Sequence, residues 1–345
     1  MNLDALIRDV RNGESPAMQT RAAARLMTRL EAEPQRLPEL FQYLPLEEWP
    51  RPRMILGITG APGSGKSSLA DAIIAESRIR VPEQRLGVIA VDPSSPFTGG
   101  AVLGDRVRMM RHATDPNVFI RSLATRGHLG GLSLGVKGVL RVMGLMGCDL
   151  VIIETVGVGQ SEVEVARVAD LVLVVLAPGH GDAVQLLKPG LLEVADVIAI
   201  NKADREGAVQ LHSTVLVSLG IGRPQVCLPE APVSDEPQDS VPEVFLVSAT
   251  DQTGIPELVT SLDKLADQRR RRWLAQVHEG AREEVRDAVL EEARRRVLEH
   301  LSADQLDQVV RGTISVDDLT RGAIESASQN HTPQKKINHP PTTRR

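Results

Sequence analysis

Aromatic residues are scarce in this sequence of 345 residues, at 2% of the composition. A hydrophobic core must therefore be built from leucine, valine, isoleucine, alanine and methionine, and few rings remain for stacking single-stranded nucleic acid. The formal net charge of −5 argues in the same direction, because phosphate backbones are bound by basic surfaces. We expect a globular protein that does not take nucleic acid as a general partner.

Cysteine is also rare, since only Cys148 and Cys227 occur and they lie far apart. Neither a disulfide framework nor a spaced metal cluster is indicated, which fits a reducing, cytoplasmic location. Residues 1–12 are charged and lack the apolar core of a signal peptide. No uncharged apolar run reaches the length of about 18 to 20 residues that a membrane span needs, so no membrane contact is expected.

The order of patterns along the chain predicts four regions. Residues 1–50 show apolar residues at helical spacing and form an N-terminal helical extension; residues 51–266 alternate apolar strand patterns with helical ones; residues 267–325 form a charged C-terminal helical arm; residues 326–345 form a disordered tail. A Pro- and acid-rich stretch, 222–242, interrupts the second region as a surface insertion. The basic run Arg269–Arg272 is either a nucleic-acid patch or, as we prefer, a solvated helix face.

Apolar strands alternating with helices predict an α/β fold, a doubly wound and mostly parallel sheet. The most continuous strand patterns are apolar on both faces, which is typical of buried parallel strands. Ligands of such sheets bind at the carboxyl ends of the strands. The predicted strands are Met54–Thr59, Leu86–Val91, Val118–Arg121, Leu150–Glu154, Leu171–Leu176, Val197–Ile200 and Val244–Val247.

A phosphate-binding loop follows the first strand, where residues 60–67 read G-A-P-G-S-G-K-S. The strand before it and the helical spacing after it give the context that the motif G-x-x-x-x-G-K-[ST] requires. Backbone N–H groups of such a loop surround phosphate. We expect Lys66 to reach the β- and γ-phosphates and Ser67 to bind Mg²⁺.

The sequence N-K-A-D at 201–204 follows another apolar strand and matches the N-K-x-D element of GTPases. The Asp204 carboxylate can accept two hydrogen bonds from guanine, whereas adenine offers no such donor pair, so GTP is favoured over ATP. Ser248 and Ala249, after the last strand, fit the S-A element that supports the same base; an ordinary strand-to-loop turn is the alternative.

The strand at 150–154 ends in E-T-V-G, where small GTPases carry D-x-x-G. Gly157 can donate its N–H to the γ-phosphate. Val158 stands where Ras-like enzymes have a glutamine that orients the attacking water, so we expect slow intrinsic hydrolysis that a partner or a rearrangement accelerates. Gln160 would serve instead only if the loop moves.

Two further acids follow the second strand. Asp92 and Asp105 are candidate Mg²⁺ ligands, direct or through water, although Asp92 could also form a turn and Asp105 could cap a helix. The segment Ala177 to Lys188 lies at the same edge of the predicted sheet, where it can sense the nucleotide. His180 within it is a loop residue or a catalyst, and the first reading is preferred.

These motifs together resemble the MeaB/ArgK group of SIMIBI-class GTPases. The resemblance rests on the P-loop, on V-D-P-S-S at 91–95, L-G-D-R at 103–106, R-G-H-L-G-G-L at 126–132, E-T-V-G-V-G-Q-S-E at 154–162, P-G-H-G-D at 178–182 and N-K-A-D at 201–204. It covers roughly residues 25–265. The insertion at 222–242 and the tail at 329–345 depart from the family pattern.

The resemblance implies a G-protein chaperone that gates adenosylcobalamin loading of a B12-dependent acyl-CoA mutase and protects or reactivates it, with an adenosyltransferase as a further candidate partner. It implies a homodimer joined through the C-terminal helices, Mg²⁺ and γ-phosphate sensing at Ser67, Asp92, Asp105 and Glu154, and a role for Lys188 in partner-stimulated hydrolysis. It leaves the client open among methylmalonyl-, isobutyryl-, 2-hydroxyisobutyryl- and ethylmalonyl-CoA types. A metal-insertion GTPase (hydrogenase or urease maturation) and a P-loop kinase or transport ATPase remain as alternatives.

The predicted site is therefore as follows. Catalysis is assigned to Lys66, Asp92, Glu154 and Lys188. GTP or GDP is assigned to Gly60, Ala61, Pro62, Gly63, Ser64, Gly65, Lys66, Ser67, Ser68, Gly157, Asn201, Lys202, Asp204, Ser248 and Ala249. Mg²⁺ is assigned to Ser67, Asp92, Asp105 and Glu154.

Overall fold

The computed structural model describes residues 3–44, 49–92, 111–112, 114–124, 131–155, 165–166, 168–179, 194–220, 241–299, 301–311 and 313–329. Within these ranges the strands are β1 (Met54–Thr59), β2 (Leu86–Asp92), β3 (Val118–Ala124), β4 (Leu150–Thr155), β5 (Leu171–Leu176), β6 (Val197–Ile200) and β7 (Glu243–Leu246). The helices are α1 (Leu3–Asn12), α2 (Pro16–Ala32), a 3-10 helix (Pro34–Gln42), α3 (Lys66–Arg80), α4 (Gly131–Leu145), α5 (Ala208–Ser218), α6 (Ile255–Glu299), α7 (Ala303–Val310) and α8 (Val316–Gln329).

The seven strands form one sheet in the order β3-β2-β4-β1-β5-β6-β7, and every neighbouring pair is parallel. The predicted α/β fold with a parallel sheet is thereby confirmed. Three strands are longer than predicted because pairing continues: Asp92 is paired with Ala124, and Thr155 with Val91. β7 begins and ends one residue earlier than the predicted strand.

Both faces of the sheet are covered, which explains the continuous apolar strand sequences. One face of β1, β2 and β4 packs on Leu69, Ile73 and Ile74 of α3 and on the first turns of α6. The opposite face meets α4, because a Cβ on Gly87 of β2 would lie 2.6 Å from the Met143 sulfur. This arrangement leaves the carboxyl ends of the strands to carry the site.

The N-terminal helices form because apolar residues recur on one side of each. Leu6, Ile7 and Val10 of α1 are buried, as are Ala22, Leu26 and Leu30 of α2. α2 begins with Pro16 after Ser15, whose hydroxyl accepts from the Met18 N–H at 3.3 Å and so caps the helix. The helical reading of this extension is confirmed.

The chain separates into two compact units, residues 1–285 and 286–345. The predicted boundary at 266–267 falls inside the continuous helix α6, since its first turns bury Leu258, Leu262 and Ala266 in the core of the first unit. In the second unit, Ser302 and Gln305 form a capping box at the start of α7. α8 ends at Gln329, so the first four residues of the predicted tail, 326–329, are helical.

Within the described ranges, no helix has both the length and the apolar composition needed to cross a bilayer. The predicted insertion at 222–242 lies, except for its last two residues, outside the described residues, as does the chain after Gln329.

Candidate functional site

The P-loop connects β1 to α3 and takes its shape from two glycines. Gly60 has φ +140°, and a Cβ there would lie 2.2 Å from the Val175 carbonyl oxygen of β5. Gly65 has φ +94°, and a Cβ there would lie 2.4 Å from Asn201 Nδ2. Only glycine suits both positions, because each combines positive φ with close contact.

Asn201 and Lys202 follow β6, two strands away from β1 in the sheet, and hold the P-loop from there; we call these contacts the carbonyl clamp. Asn201 Nδ2 donates to the carbonyl oxygens of Ser64 at 3.0 Å and Gly65 at 3.4 Å. Lys202 Nζ donates to the Gly63 carbonyl at 2.6 Å. Three consecutive carbonyls are thus turned toward β6, which favours N–H groups facing the other side, toward a phosphate.

Lys66 and Ser67 begin α3 and are both buried. Lys66 Nζ donates to the carbonyl oxygens of Gly60 at 2.8 Å and Ala61 at 3.1 Å, so its ammonium lies beneath the loop. Ser67 Oγ donates to Glu154 Oε1 at 2.5 Å. Two predicted Mg²⁺ ligands that are 87 residues apart in sequence therefore touch.

Glu154 is only 4% exposed near the end of β4, where its backbone is in register with Ile58 of β1 and Ala90 of β2. Asp92, the last residue of β2, ends at the same edge of the sheet. A serine hydroxyl and carboxylates are the hard oxygen donors that suit Mg²⁺. The residues present at this edge therefore fit such an ion.

A second group of contacts lies after β6 and β7, where a base would be read. The exposed Asp204 accepts a hydrogen bond at Oδ1 from the buried Ser248 hydroxyl at 2.9 Å. The Ala249 N–H donates to Asn201 Oδ1 at 3.2 Å. We call the segment 248–251 after β7 the base-side loop. Asn201 joins this loop to the P-loop, because its amide oxygen accepts from Ala249 and its amide nitrogen donates to Ser64 and Gly65.

The sequence reasoning missed Asp251, whose backbone N–H donates to Ser248 Oγ at 3.3 Å. Asp251 Oδ2, at 3.3 Å, is a second acceptor for that hydroxyl beside the shorter contact with Asp204. The signal was present as S-x-x-D at 248–251, a pattern in which a serine oxygen accepts from the backbone three residues later. It also missed that Asn201 and Lys202 contact the loop backbone, since residue types do not reveal contacts made across 137 residues.

The structure thus brings together Gly60–Ser68, Glu154, Asn201, Lys202, Asp204, Ser248 and Ala249, with the backbone of Asp92 at the same edge. Asp105, Gly157, Val158, Gln160, His180 and Lys188 lie outside the described residues.

The fold and this site define a P-loop nucleotide-binding protein of the GTPase type. A family model described as methylmalonyl-CoA mutase-associated GTPase MeaB matches residues 24–306. The chain belongs to this family, and guanine-nucleotide binding is the property that the family implies.

Named relatives agree with that assignment. A putative GTPase of Pyrococcus abyssi is 50% identical over 207 residues, which cover 60% of this chain and 61% of that protein. The GTPase ArgK of Escherichia coli is 41% identical over 206 residues, covering 59% of this chain and 58% of ArgK. The mitochondrial methylmalonic aciduria type A homolog of Caenorhabditis elegans is 35% identical over 218 residues, covering 61% and 51%. The chain spans about three fifths of the length of the first two relatives.

Among solved structures, the chain resembles that of an LAO/AO transport system kinase, with a TM-score of 0.54 and 27% identity. The match covers 95% of this chain and 99% of the other, so the likeness extends over the elements described above.

Proposed function

We propose that this protein hydrolyses GTP to GDP and phosphate, with Mg²⁺ bound by Ser67, Glu154, Asp92 and Asp105. The observation that carries the proposal is the carbonyl clamp, in which the N-K-x-D element and the P-loop form one hydrogen-bonded structure. This element is the guanine-recognition sequence, and its Asp204 is exposed beside the loop's supporting residues. Its carboxylate can accept from guanine while Ser248 fixes its orientation.

The chain's own residues account for most of the chemistry. The P-loop N–H groups and Lys66 would stabilise charge that develops on the β- and γ-phosphates. Lys66 must exchange its contacts with the Gly60 and Ala61 carbonyls for phosphate oxygens. Glu154 accepts from Ser67 Oγ and so holds the hydroxyl oxygen at the edge where the metal would bind. Mg²⁺, when held by Ser67, Glu154, Asp92 and Asp105, would supply positive charge that offsets the charge developing on the phosphates.

The proposed biological role is that of a chaperone for an adenosylcobalamin-dependent acyl-CoA mutase in the cytoplasm. Support comes from the family, which is named for association with methylmalonyl-CoA mutase. Val158 supports control by a partner, because a valine cannot orient water. The mutase would reorder the segment 177–188 and bring Lys188 near the phosphates, and an adenosyltransferase is a further candidate partner.

A homodimer through the C-terminal helices is part of the same proposal. Within the second unit, several large apolar side chains are more than half exposed, and an interface between two copies would remove them from water. They are Val289, Leu290, Leu298, Val310 and Val316.

Two measurements test the proposal. Single-turnover hydrolysis by Lys66→Ala should be abolished, whereas near wild-type rates would mean that this loop is not catalytic. Phosphate release by the full chain should rise when a cobalamin-dependent acyl-CoA mutase is added. An arginine finger supplied by a partner sets the upper range, about 10³ to 10⁵ in rate.

Lys188→Ala should lose the increment that the mutase adds, and Lys264→Ala on α6 is the matched control that should keep it. If stimulation survives in Lys188→Ala, the role of the segment 177–188 is wrong while the GTPase proposal stands. If no acyl-CoA mutase of any type stimulates the wild type, the chaperone role is wrong.

The second candidate function is a protein kinase activity. It is suggested by the name of the solved structure that this chain resembles, an LAO/AO transport system kinase. Phosphoryl transfer to a protein would leave label from γ-³²P-GTP on that protein, whereas hydrolysis releases it as phosphate. We favour hydrolysis because the named relatives are GTPases.

A further inference from the structure

A cavity of about 480 Å³ lies at the edge of the sheet opposite the P-loop. It is bounded by the first residues of β2 and β3, by the turn before β4, and by α1 and the start of α2. Because β2 has seven residues that rise about 3.3 Å each, roughly 20 Å separate this edge from the candidate nucleotide site. The cavity is therefore separate from the P-loop and from the other motifs of the candidate nucleotide site.

The walls of the cavity combine apolar surface with a substantial polar part. Its volume is within the range of about 300 to 1,000 Å³ that is typical of small-molecule sites. Phe119 is one of only four phenylalanines in the chain, and it is half-buried here rather than enclosed in the core. The other apolar wall residues include Val10, Leu86, Val118 and Met146.

One cationic side chain lines the cavity. Arg85 donates from Nη1 to the Met146 carbonyl at 2.7 Å, and within the described ranges its guanidinium forms no ion pair. The nearby Asp149 accepts from the backbone N–H of Arg85 at 3.3 Å. Among the described residues, the Met146 carbonyl is the one hydrogen-bond partner of the guanidinium, which leaves its other donors to a ligand.

Asp115, the one acid among the described lining residues, is already paired. Asp115 receives hydrogen bonds from Arg78 at 2.8 and 3.4 Å. Burial acts to raise the pKa of Asp115, but the bonds from Arg78 and from the Asn117 N–H outweigh it and hold that pKa below its ordinary value. Asp115 is thus a paired carboxylate, and the charge presented to a ligand is that of Arg85.

We propose that this cavity binds an amphipathic monoanion of the medium-chain carboxylate class. Its apolar chain would lie against Leu86, Val118 and Phe119, and its carboxylate would accept from Arg85. Gln19, Thr20 and Asn117 provide amide and hydroxyl groups at the polar side of the lining. A planar guanidinium matches a carboxylate in geometry, which favours this head group over an alcohol.

Calorimetric titration with octanoate tests the proposal. The full chain is first saturated with GDP and Mg²⁺, so that the P-loop cannot contribute an anion site. We expect saturable binding of one octanoate, and binding of 1-octanol that is weaker by about tenfold or more, because the charge-assisted hydrogen bonds are lost. Arg85→Gln should lose a similar factor, and Arg85→Lys should recover part of it.

A second variant addresses the cavity independently of Arg85. Thr20 is exposed at the lining, so Thr20→Trp should obstruct the cavity without disturbing the core, while Ala17→Trp, exposed on the same helix but outside the lining, is its control. The proposal is overturned if octanoate shows no saturable binding, if Thr20→Trp binds it as the control does, or if octanol binds equally well. GDP affinity measured in each variant separates these outcomes from a failure of the proposed GTPase site.

Discussion

Replacing Asn201 should remove the hydrogen bonds that join the P-loop to the base-side loop after β7. Asn201 is 2% exposed, and it donates to Ser64 O at 3.0 Å while it accepts from Ala249 N at 3.2 Å. Asn201→Ala leaves a buried carbonyl and a largely buried N–H without these partners. Each unsatisfied group costs about 1–3 kcal/mol, so we expect a loss of about 2–6 kcal/mol in the free energy of unfolding.

Urea denaturation followed by circular dichroism measures that loss, and calorimetry measures GDP affinity. Asn201→Asp keeps the shape and the acceptor but turns an oxygen toward the Ser64 carbonyl, so it should be at least as damaging as alanine. Gln210→Ala, on the exposed face of α5, is the control for a polar-to-alanine change. If Asn201→Ala unfolds at the same urea concentration as Gln210→Ala, the clamp does not stabilise the site and the reasoning is refuted.

Three further changes have defined outcomes. Asp204→Asn should weaken GTP by about 10- to 100-fold and favour XTP in calorimetry, and unchanged GTP affinity would contradict the guanine assignment. Gly65→Ala should reduce both stability and GDP affinity, because its Cβ would lie 2.4 Å from Asn201 Nδ2; Gly147→Ala shares positive φ without a neighbour within 4 Å, so equal losses would rule out the clash. Burial raises the pKa of Cys148 from 9.0 to about 12, so in a Cys227→Ser background alkylation by iodoacetamide at pH 8 should be much slower in native protein than in urea. Because the pKa of the Cys148 thiol is higher in the folded than in the unfolded state, its contribution to the free energy of unfolding is complete below pH 9 and is lost toward pH 12. The urea midpoint should therefore decline over this range, and Cys148→Ala should make that decline smaller.

The sheet was predictable from sequence because parallel strands buried on both faces leave continuous apolar runs such as Leu171–Leu176. The P-loop was predictable because Gly60, Gly65, Lys66 and Ser67 fall at fixed offsets between a strand and a helix. Both patterns involve residues that are close together in the sequence, so they can be recognised from the sequence alone.

Contacts that depend on packing were not predictable. The bond from Asn201 to Ser64 joins residues 137 positions apart, and nothing in either residue type indicates it. The continuity of α6 through 266–267 was missed because its charged part follows directly on a part that is buried against the sheet. The cavity beside Arg85 depends on where α1 and α2 pack, which periodicity does not give.

The carbonyl clamp also bears on the kinetics of nucleotide exchange. Its bonds use only protein donors and acceptors, so the P-loop and the base-side loop do not depend on a ligand for their relative positions. A nucleotide that enters such a preorganised pocket avoids the entropy cost of ordering these loops, and its association should approach the rate set by diffusion and orientation. A partner that speeds GDP release must then either break the bonds of Asn201 and Lys202 or act on the phosphate and metal from another segment. These two routes can be distinguished, because only the first would also weaken the contacts between the protein and the guanine base.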